Sequence, residues 1–379
     1  MYKRQGSDDA IAILFRNETG QSREIRRGKL RAEVARIAGW LGNNGVETGD
    51  RVAAWTPNVP ETIIMMLATT AVGATFSSCS PDFGIQAVTE RFGQIEPTVL
   101  LVADGYHYGG KYFDAVPKIT KLLELVPSIQ HTVMVPYSGH PIDFKNLRNA
   151  ILWEEVGDFN KPIEYPQFSF DHPLYILFSS GTTGKPKCIV HGVGGTLLQH
   201  LKEHRLHTDL KSNERLFYFT TCGWMMWNWL VAGLASDATI VLYDGSPMEP
   251  RAESLFELVN DFEINVFGTS ASYLAAVEKQ GVRPKEIFEL DGLRMILSTG
   301  SPLNDEGFKY VYRDIKPNIC LSSISGGTDI VSCFALGNPN LPVRTGQLQC
   351  RGLGMAVDVF DRDGLGAVSY THLTLPTKA

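Results

Sequence analysis

Ser179-Ser180-Gly181-Thr182-Thr183-Gly184-Lys185-Pro186-Lys187 packs four hydroxyls, two glycines and two ammonium groups into nine residues. The unbroken apolar run Leu174-Tyr175-Ile176-Leu177-Phe178 precedes it, and Cys188-Ile189-Val190-His191 follows. The pattern predicts a polar loop pinned between two buried strands. Gly181 and Gly184 permit close backbone approach there. Such a loop can wrap a polyphosphate with backbone N–H groups, hydroxyls and positive charge. It differs from a Walker A loop, which needs four residues between its glycines and Ser or Thr after the lysine. Here Pro186 follows Lys185, so the chain does not run straight into a helix.

Working outward, short apolar runs alternate with helical periodicity. Arg51–Trp55, Thr75–Cys79, 98–102 and 132–135 read as strands, with helices over 30–44, 61–72, 86–95 and 113–125 between them. Beyond the loop, helices are expected over 195–207, 224–234, 252–262, 270–279 and 305–312. They alternate with strands over 216–219, 239–242, 266–268, 293–297 and 320–324. Alternation of this kind predicts an α/β fold with doubly wound parallel sheets. We expect a first α/β lobe over 10–135, a connecting segment over 136–172 rich in Pro, Gly and charge, and a second α/β lobe over 173–345. A further β lobe would start over 346–365, and residues 1–5 and 369–379 read as foreign tails.

The bulk properties narrow the class. The chain has 379 residues, 44% of them hydrophobic, enough for large cores. Its net charge of −6 argues against non-specific nucleic-acid binding. No apolar run reaches the roughly 18 residues of a membrane span. The polar start, Met1 to Asp9, shows no secretory signal. Six cysteines are scattered without a C-x-x-C pair, which points to reduced thiols and a cytoplasmic protein.

Three more stretches belong with the loop, because ligands in open α/β sheets gather beyond the carboxyl ends of strands. Ser298-Thr299-Gly300-Ser301-Pro302 leaves one predicted strand, and by position alone it is either a ligand contact or a plain turn. Ser323-Ile324-Ser325-Gly326-Gly327-Thr328-Asp329 leaves the next and ends on a carboxylate suited to Mg²⁺. Thr221-Cys222-Gly223-Trp224-Met225-Met226-Trp227 opens an apolar helix, and its Trp and Met residues read as pocket lining or as core. His200, His204 and His207 share one helical face. Without an H-E-x-x-H order they read as a helix face rather than a metal site.

Together these motifs resemble the adenylate-forming family of acyl- and aryl-CoA synthetases, luciferases and adenylation domains, over roughly residues 10–365. The resemblance is strongest, at Phe178–Lys187 and Ser322–Phe334, to members that join acetoacetate to CoA. It implies that an acid attacks the α-phosphate of ATP and that CoA thiolate then attacks the acyl-adenylate, releasing AMP. Thr182, Lys185 and Lys187 would act in catalysis. Ser179, Ser180, Gly181, Thr183, Gly184, Gly300, Ser301, Pro302, Ser323, Gly327 and Thr328 would hold the nucleotide, and Asp329 the Mg²⁺. Trp224, Met225, Thr299, Ser325 and Gly326 would line the acyl pocket. Gly326 stands where acetate-specific relatives carry a tryptophan, so a deeper pocket is expected. Lys111, in Tyr108-Gly109-Gly110-Lys111, would meet a CoA phosphate, although the arginine that relatives carry at Tyr108 is absent. The family's ribose-binding Gly-Asp step and its small C-terminal domain with a catalytic lysine do not appear, so weak ATP binding and poor turnover are expected of this chain. Another short-chain acyl-CoA ligase, a phosphotransferase and a non-catalytic nucleotide-binding fragment remain as alternative readings.

Overall fold

A computed structural model describes residues 7–141, 147–157, 165–179 and 184–360. In chain order its strands are β1 (Ile11–Asn17), β2 (Ser22–Arg26), β3 (Arg51–Trp55), β4 (Thr75–Cys79), β5 (Val99–Ala103), β6 (Gly105–Tyr108), β7 (Lys111–Asp114), β8 (His131–Val135) and β9 (Ala150–Leu152). There follow β10 (Pro173–Ser179), β11 (Lys187–Gly192), β12 (Arg215–Tyr218), β13 (Thr239–Asp244), β14 (Val266–Ser270), β15 (Met295–Thr299), β16 (Cys320–Ser323), β17 (Ser325–Gly327), β18 (Ser332–Leu336) and β19 (Cys350–Arg351).

Two seven-stranded sheets dominate, as the alternation predicted. The first runs β11-β10-β4-β3-β5-β8-β9 and the second β16-β15-β14-β12-β13-β1-β2. Both are parallel except at one edge, where β11 and β2 turn back antiparallel. Strands such as Val99-Leu100-Leu101-Val102 are fully buried, because helices cover both faces of the sheets. Side-chain alternation then divides the interior. Val52, Ala54, Val99 and Leu101 point one way and Ala53, Trp55, Leu100 and Val102 the other. In the second sheet, Leu216, Ile240 and Val266 face the same core as Val52, while Phe217, Val241 and Phe267 face away. The shared core is filled by helices Arg27–Asn43, Pro60–Ala71, Val193–Lys202 and Met225–Ala232. The layers therefore run helix, sheet, helix, sheet, helix.

The lobes expected from sequence do not follow the sheets. β1 lies in the expected first lobe yet pairs with β13, Ile13 opposite Ile240, and carries β2 into the second sheet. β10 and β11 lie in the expected second lobe yet extend the first sheet through β4, Tyr175 opposite Phe76. An apolar strand joins whichever edge can bury both its faces, whatever its place in the chain. The connecting segment contributes β9 to the first sheet. The helix expected over 113–125 begins at Val116, since 105–114 forms the β6–β7 hairpin. The expected tails, 1–5 and 369–379, lie outside the described residues, as does the segment beyond 360.

The sheets meet at their carboxyl ends through a buried amide. The Asn58 side chain donates to the Thr220 and Tyr243 carbonyls, at 3.1 and 3.2 Å, and accepts from Trp227 Nε1 at 3.0 Å. Its backbone N–H donates to Asp244 Oδ1 at 2.9 Å, and Tyr137 Oη donates to Asp244 Oδ2 at 2.7 Å. Burial outweighs these bonds and lifts the Asp244 carboxyl to about 6.

The helix beginning at Val193 widens into a π-helical turn at Glu203–His207 and carries the three histidines. They form a packed face. His200 and His204 bond the Val331 and Trp229 carbonyls through Nε2, and His207 bonds the Gly337 carbonyl through Nδ1. Glu203, also buried, accepts from Trp229 Nε1 at 2.8 Å and from the Cys333 N–H at 3.0 Å. These bonds seat the small sheet β17-β18-β19 on the large one. Among the described residues no cluster of three potential metal ligands forms.

Two measurements check this packing. A Cβ on Gly326 would stand 2.1 Å from the Ser332 carbonyl oxygen of the paired strand. Gly326→Ala should therefore destabilise by about 1–3 kcal/mol in urea unfolding. Burial also lowers the pKa of His191 and His200, and that of His204 to about 3. A histidine depressed in the folded state charges first in the unfolded chain, so stability falls as pH drops below about 6.5. Asp244, raised to about 6, acts oppositely below that pH, as a single group against three. Melting temperature should fall between pH 7.5 and pH 5, and His204→Gln should flatten that decline by about 1.4 kcal/mol per pH unit.

Candidate functional site

The quoted loop connects two antiparallel strands; β10 is buried as expected, but β11 is the edge strand of its sheet and only His191 in it is buried. Ser179 ends β10 directly opposite Lys187, which opens β11. Ser180, Gly181, Thr182 and Thr183 lie outside the described residues. Gly184 follows them with φ of +142°, a conformation that favours glycine. Lys185 and Lys187 are both exposed. The exit of the loop is anchored by Gln94, whose Nε2 donates to the Pro186 carbonyl at 3.1 Å. Arg91 lies over the Phe178 ring, 5.6 Å from its centre, at the loop's entrance.

His191, at the inner end of β11, is buried, and its Nε2 has no hydrogen-bond partner among the described residues. Burial holds its pKa down, with the Thr328 backbone opposing. One turn further, His200 bonds the Val331 carbonyl at 2.6 Å, and Val331 adopts φ of +47° to close the Thr328–Val331 turn. Asp329 is exposed, and it forms no ion pair with the described residues. Sequence reasoning missed His191, whose position four residues beyond Lys187 was its one visible signal.

The third motif is tied to the second by backbone. Ile324 N–H donates to the Ser298 carbonyl at 2.9 Å, and Thr299 Oγ1 donates to the Ile324 carbonyl at 2.9 Å. Thr299 therefore spends its proton on the neighbouring strand exit. Gly300 has φ of +90° and turns the chain into exposed Ser301 and Pro302. Ser323 is buried, whereas Ser325 and Gly327 are partly open. Gly326 departs from expectation: the direction a side chain would take is filled by the Ser332 carbonyl, so its glycine serves strand pairing.

Trp224 caps the helix Met225–Ala232, its indole edge-on to Tyr218 with centres 5.9 Å apart. Met225 is buried beneath it. Thr299 and this helix lie on the same side of the second sheet, the side of Leu297 and Met295. Lys111 stands apart on the exposed arm of the β6–β7 hairpin. The hairpin's Gly109 and Gly110 N–H groups both donate to the Glu18 carboxylate at 3.0 Å.

The strand exits of the second sheet and the hairpin of the first thus form one polar rim over an apolar interior. The model of the AMP-binding enzyme family matches residues 3–364. The chain is 52% identical to acetoacetyl-coenzyme A synthetase of Rhizobium meliloti, over 96% of this chain and 56% of that one. It is 42% identical to acetoacetyl-CoA synthetase of Xenopus tropicalis, over 94% of this chain and 54% of that one. Among solved structures, acetoacetyl-CoA synthetase from Streptomyces lividans superposes with a TM-score of 0.90 at 41% identity, covering 95% of this chain and 55% of that one. The chain spans about half the length of these relatives. A match over residues 3–364 makes the chain a member of the AMP-binding enzyme family.

Proposed function

We propose that the protein serves the ATP-dependent ligation of acetoacetate to CoA through an acyl-adenylate, releasing AMP and pyrophosphate. The observation that carries this is that the helix following the Ser179–Lys187 hairpin bonds the Thr328–Val331 turn, through His200 Nε2 and the Val331 carbonyl. The printed names of the similar proteins support the choice of acid.

The acid needs no base, since a carboxylate is ionised near neutral pH. The task of the site is to bring two anions together and to neutralise charge as it develops. Lys185 and Lys187, exposed at the mouth of the hairpin, supply positive charge to the phosphates. Thr182 and Thr183 lie between the same strands and would add hydroxyl donors, with Ser179, Ser180, Gly181 and Gly184 shaping the wrap. Gly300, Ser301 and Pro302 would border the adenine, and Ser323, Gly327 and Thr328 the nucleotide's phosphate side. Trp224, Met225, Thr299, Ser325 and Gly326 would border the acyl chain. Lys111, exposed on its hairpin, suits a CoA phosphate as a point charge.

The donor set fits Mg²⁺. Asp329 is a hard, exposed carboxylate, and no further acid joins it in a ligand cluster among the described residues. That matches a cation taking one protein oxygen, with substrate phosphates and water for the rest. Bound there, Mg²⁺ would neutralise phosphate charge. The six thiols, free in the structure, suit a reducing cytoplasm.

A phosphotransferase would release ADP, and this separates the readings. Incubation with ATP, Mg²⁺ and acetoacetate should release pyrophosphate, slowly in this chain, and AMP should follow only when CoA is added to take the acyl group; ADP in their place would overturn the ligase reading. Acetate and butyrate, run in parallel, should give less. Lys185→Ala should lower pyrophosphate release by about a hundredfold, the scale of removing one group that stabilises developing charge. Asp329→Asn should raise the Mg²⁺ concentration needed for half-maximal release while leaving the melting temperature unchanged, because the carboxylate is exposed.

A further inference from the structure

Asn228 is a buried side chain with nothing to bond. It is 2% exposed, and neither its Nδ2 nor its Oδ1 has a hydrogen-bond partner among the described residues. It sits in the middle of the helix Met225–Ala232, whose residues are all buried. Folding has stripped water from this amide without replacing it, which proteins seldom tolerate unless the group has a use. The same core shows the ordinary solution a few turns away, where every polar atom of the Asn58 side chain is bonded.

Its position gives the amide a task. Asn228 lies four residues after Trp224 and three after Met225, so the three share one helical face. That face carries the residues assigned above to the acyl pocket, and Asn228 stands one turn deeper than Trp224. Several other donors around this core are committed, although the Nδ1 atoms of His200 and His204, on the neighbouring helical segment, are likewise unbonded among the described residues. Trp227 Nε1 goes to Asn58, Trp229 Nε1 to Glu203, Thr299 Oγ1 to the Ile324 carbonyl, and Cys222 Sγ to the Thr56 carbonyl. Ser298 and Thr269 also hold orphaned hydroxyls. They belong to the opposite face of the second sheet, that of Ile296 and Phe267, away from this helix.

The chemistry of the acid asks for such a donor. Acetoacetate differs from butyrate by a carbonyl in place of a methylene at C3. An apolar pocket would strip water from that carbonyl and offer nothing in return, and so would favour butyrate. Preference for the 3-oxo acid therefore needs a buried donor beyond the carboxylate. We propose that Asn228 is the specificity-determining residue that donates from Nδ2 to the C3 carbonyl of the acyl group, an inference that rests on the acyl-adenylate reading above.

Binding tests it without turnover. The probes are two non-hydrolysable acyl-adenylate analogues, acetoacetyl- and butyryl-sulfamoyladenosine, with the melting temperature of the full chain as readout. Wild-type protein should bind the acetoacetyl analogue about tenfold to a hundredfold more tightly, the usual scale for one hydrogen bond to a buried donor. Asn228→Leu, close in size, should abolish that preference while keeping affinity for the butyryl analogue. Retained butyryl binding also shows that the variant is folded. Its melting temperature without ligand should equal or exceed wild type, because no hydrogen bond is lost. Asn228→Gln, which keeps an amide, should recover part of the preference. An unchanged preference in the folded leucine variant overturns the proposal, as does equal binding of both analogues by wild type. Wild-type binding of neither analogue instead overturns the acyl-adenylate reading itself.

Discussion

The structure depends on one buried amide. Two parallel sheets that share a helical core could slide or tilt against each other, since apolar packing has no direction. Asn58 removes that freedom. It leaves the end of β3 in the first sheet and bonds the chain at Thr220 and Tyr243 in the second, while Trp227 of the central helix donates to it. Asp244 adds a bond to the Asn58 backbone and is braced by Tyr137. Breaking this unit would orphan several buried polar groups together, so the strand exits behave as one rigid rim. A site assembled from the exits of both sheets needs that rigidity, because misplacement by about an ångström costs much of the catalytic advantage.

A second polar system holds the other side of the rim. Glu203 and the three histidines bond backbone and side chains of β18, of its flanking turns and of the central helix. The strands of this sheet are only two to five residues long. Burial lowers the pKa of His200 and His204, so the sheet's seating depends on those two imidazoles staying uncharged. The Thr328–Asp329 turn links β17 to β18 of this sheet and is therefore tied to the same buried helix through His200 and the Val331 carbonyl.

Most of the architecture was legible because parallel strands buried on both faces announce themselves as short apolar runs. Val99 to Val102 and Phe217 with Val266 needed no context. What escaped was pairing. Nothing local in Ile11-Ala12-Ile13-Leu14-Phe15 says that its neighbour is Thr239–Asp244, more than two hundred residues on. The β6–β7 hairpin escaped because Tyr112 and Phe113 can begin a helix or end a strand. The glycine turns at Gly184 and Gly300 were readable from residue type, since positive φ leaves few options besides glycine. The polar systems that hold them were not. A histidine, an asparagine or a buried glutamate looks the same in sequence whether it faces solvent, metal or a backbone carbonyl.

Gly326 shows the limit most sharply. Subtracting a tryptophan side chain suggested a deeper acyl pocket, which treats the backbone as fixed and the side chain as removable. The backbone is not a neutral frame here. β17 and β18 approach so closely that the Ser332 carbonyl fills the space where a side chain would start. A bulky residue at this position requires a wider pairing of the two strands, and so a different path for the Gly327-Thr328-Asp329 turn that follows. The room at position 326 and the path of that turn are then set by one structural variable, the separation of β17 from β18. In this fold a larger residue there cannot act by side-chain volume alone, because it must also move the Gly327-Thr328-Asp329 turn.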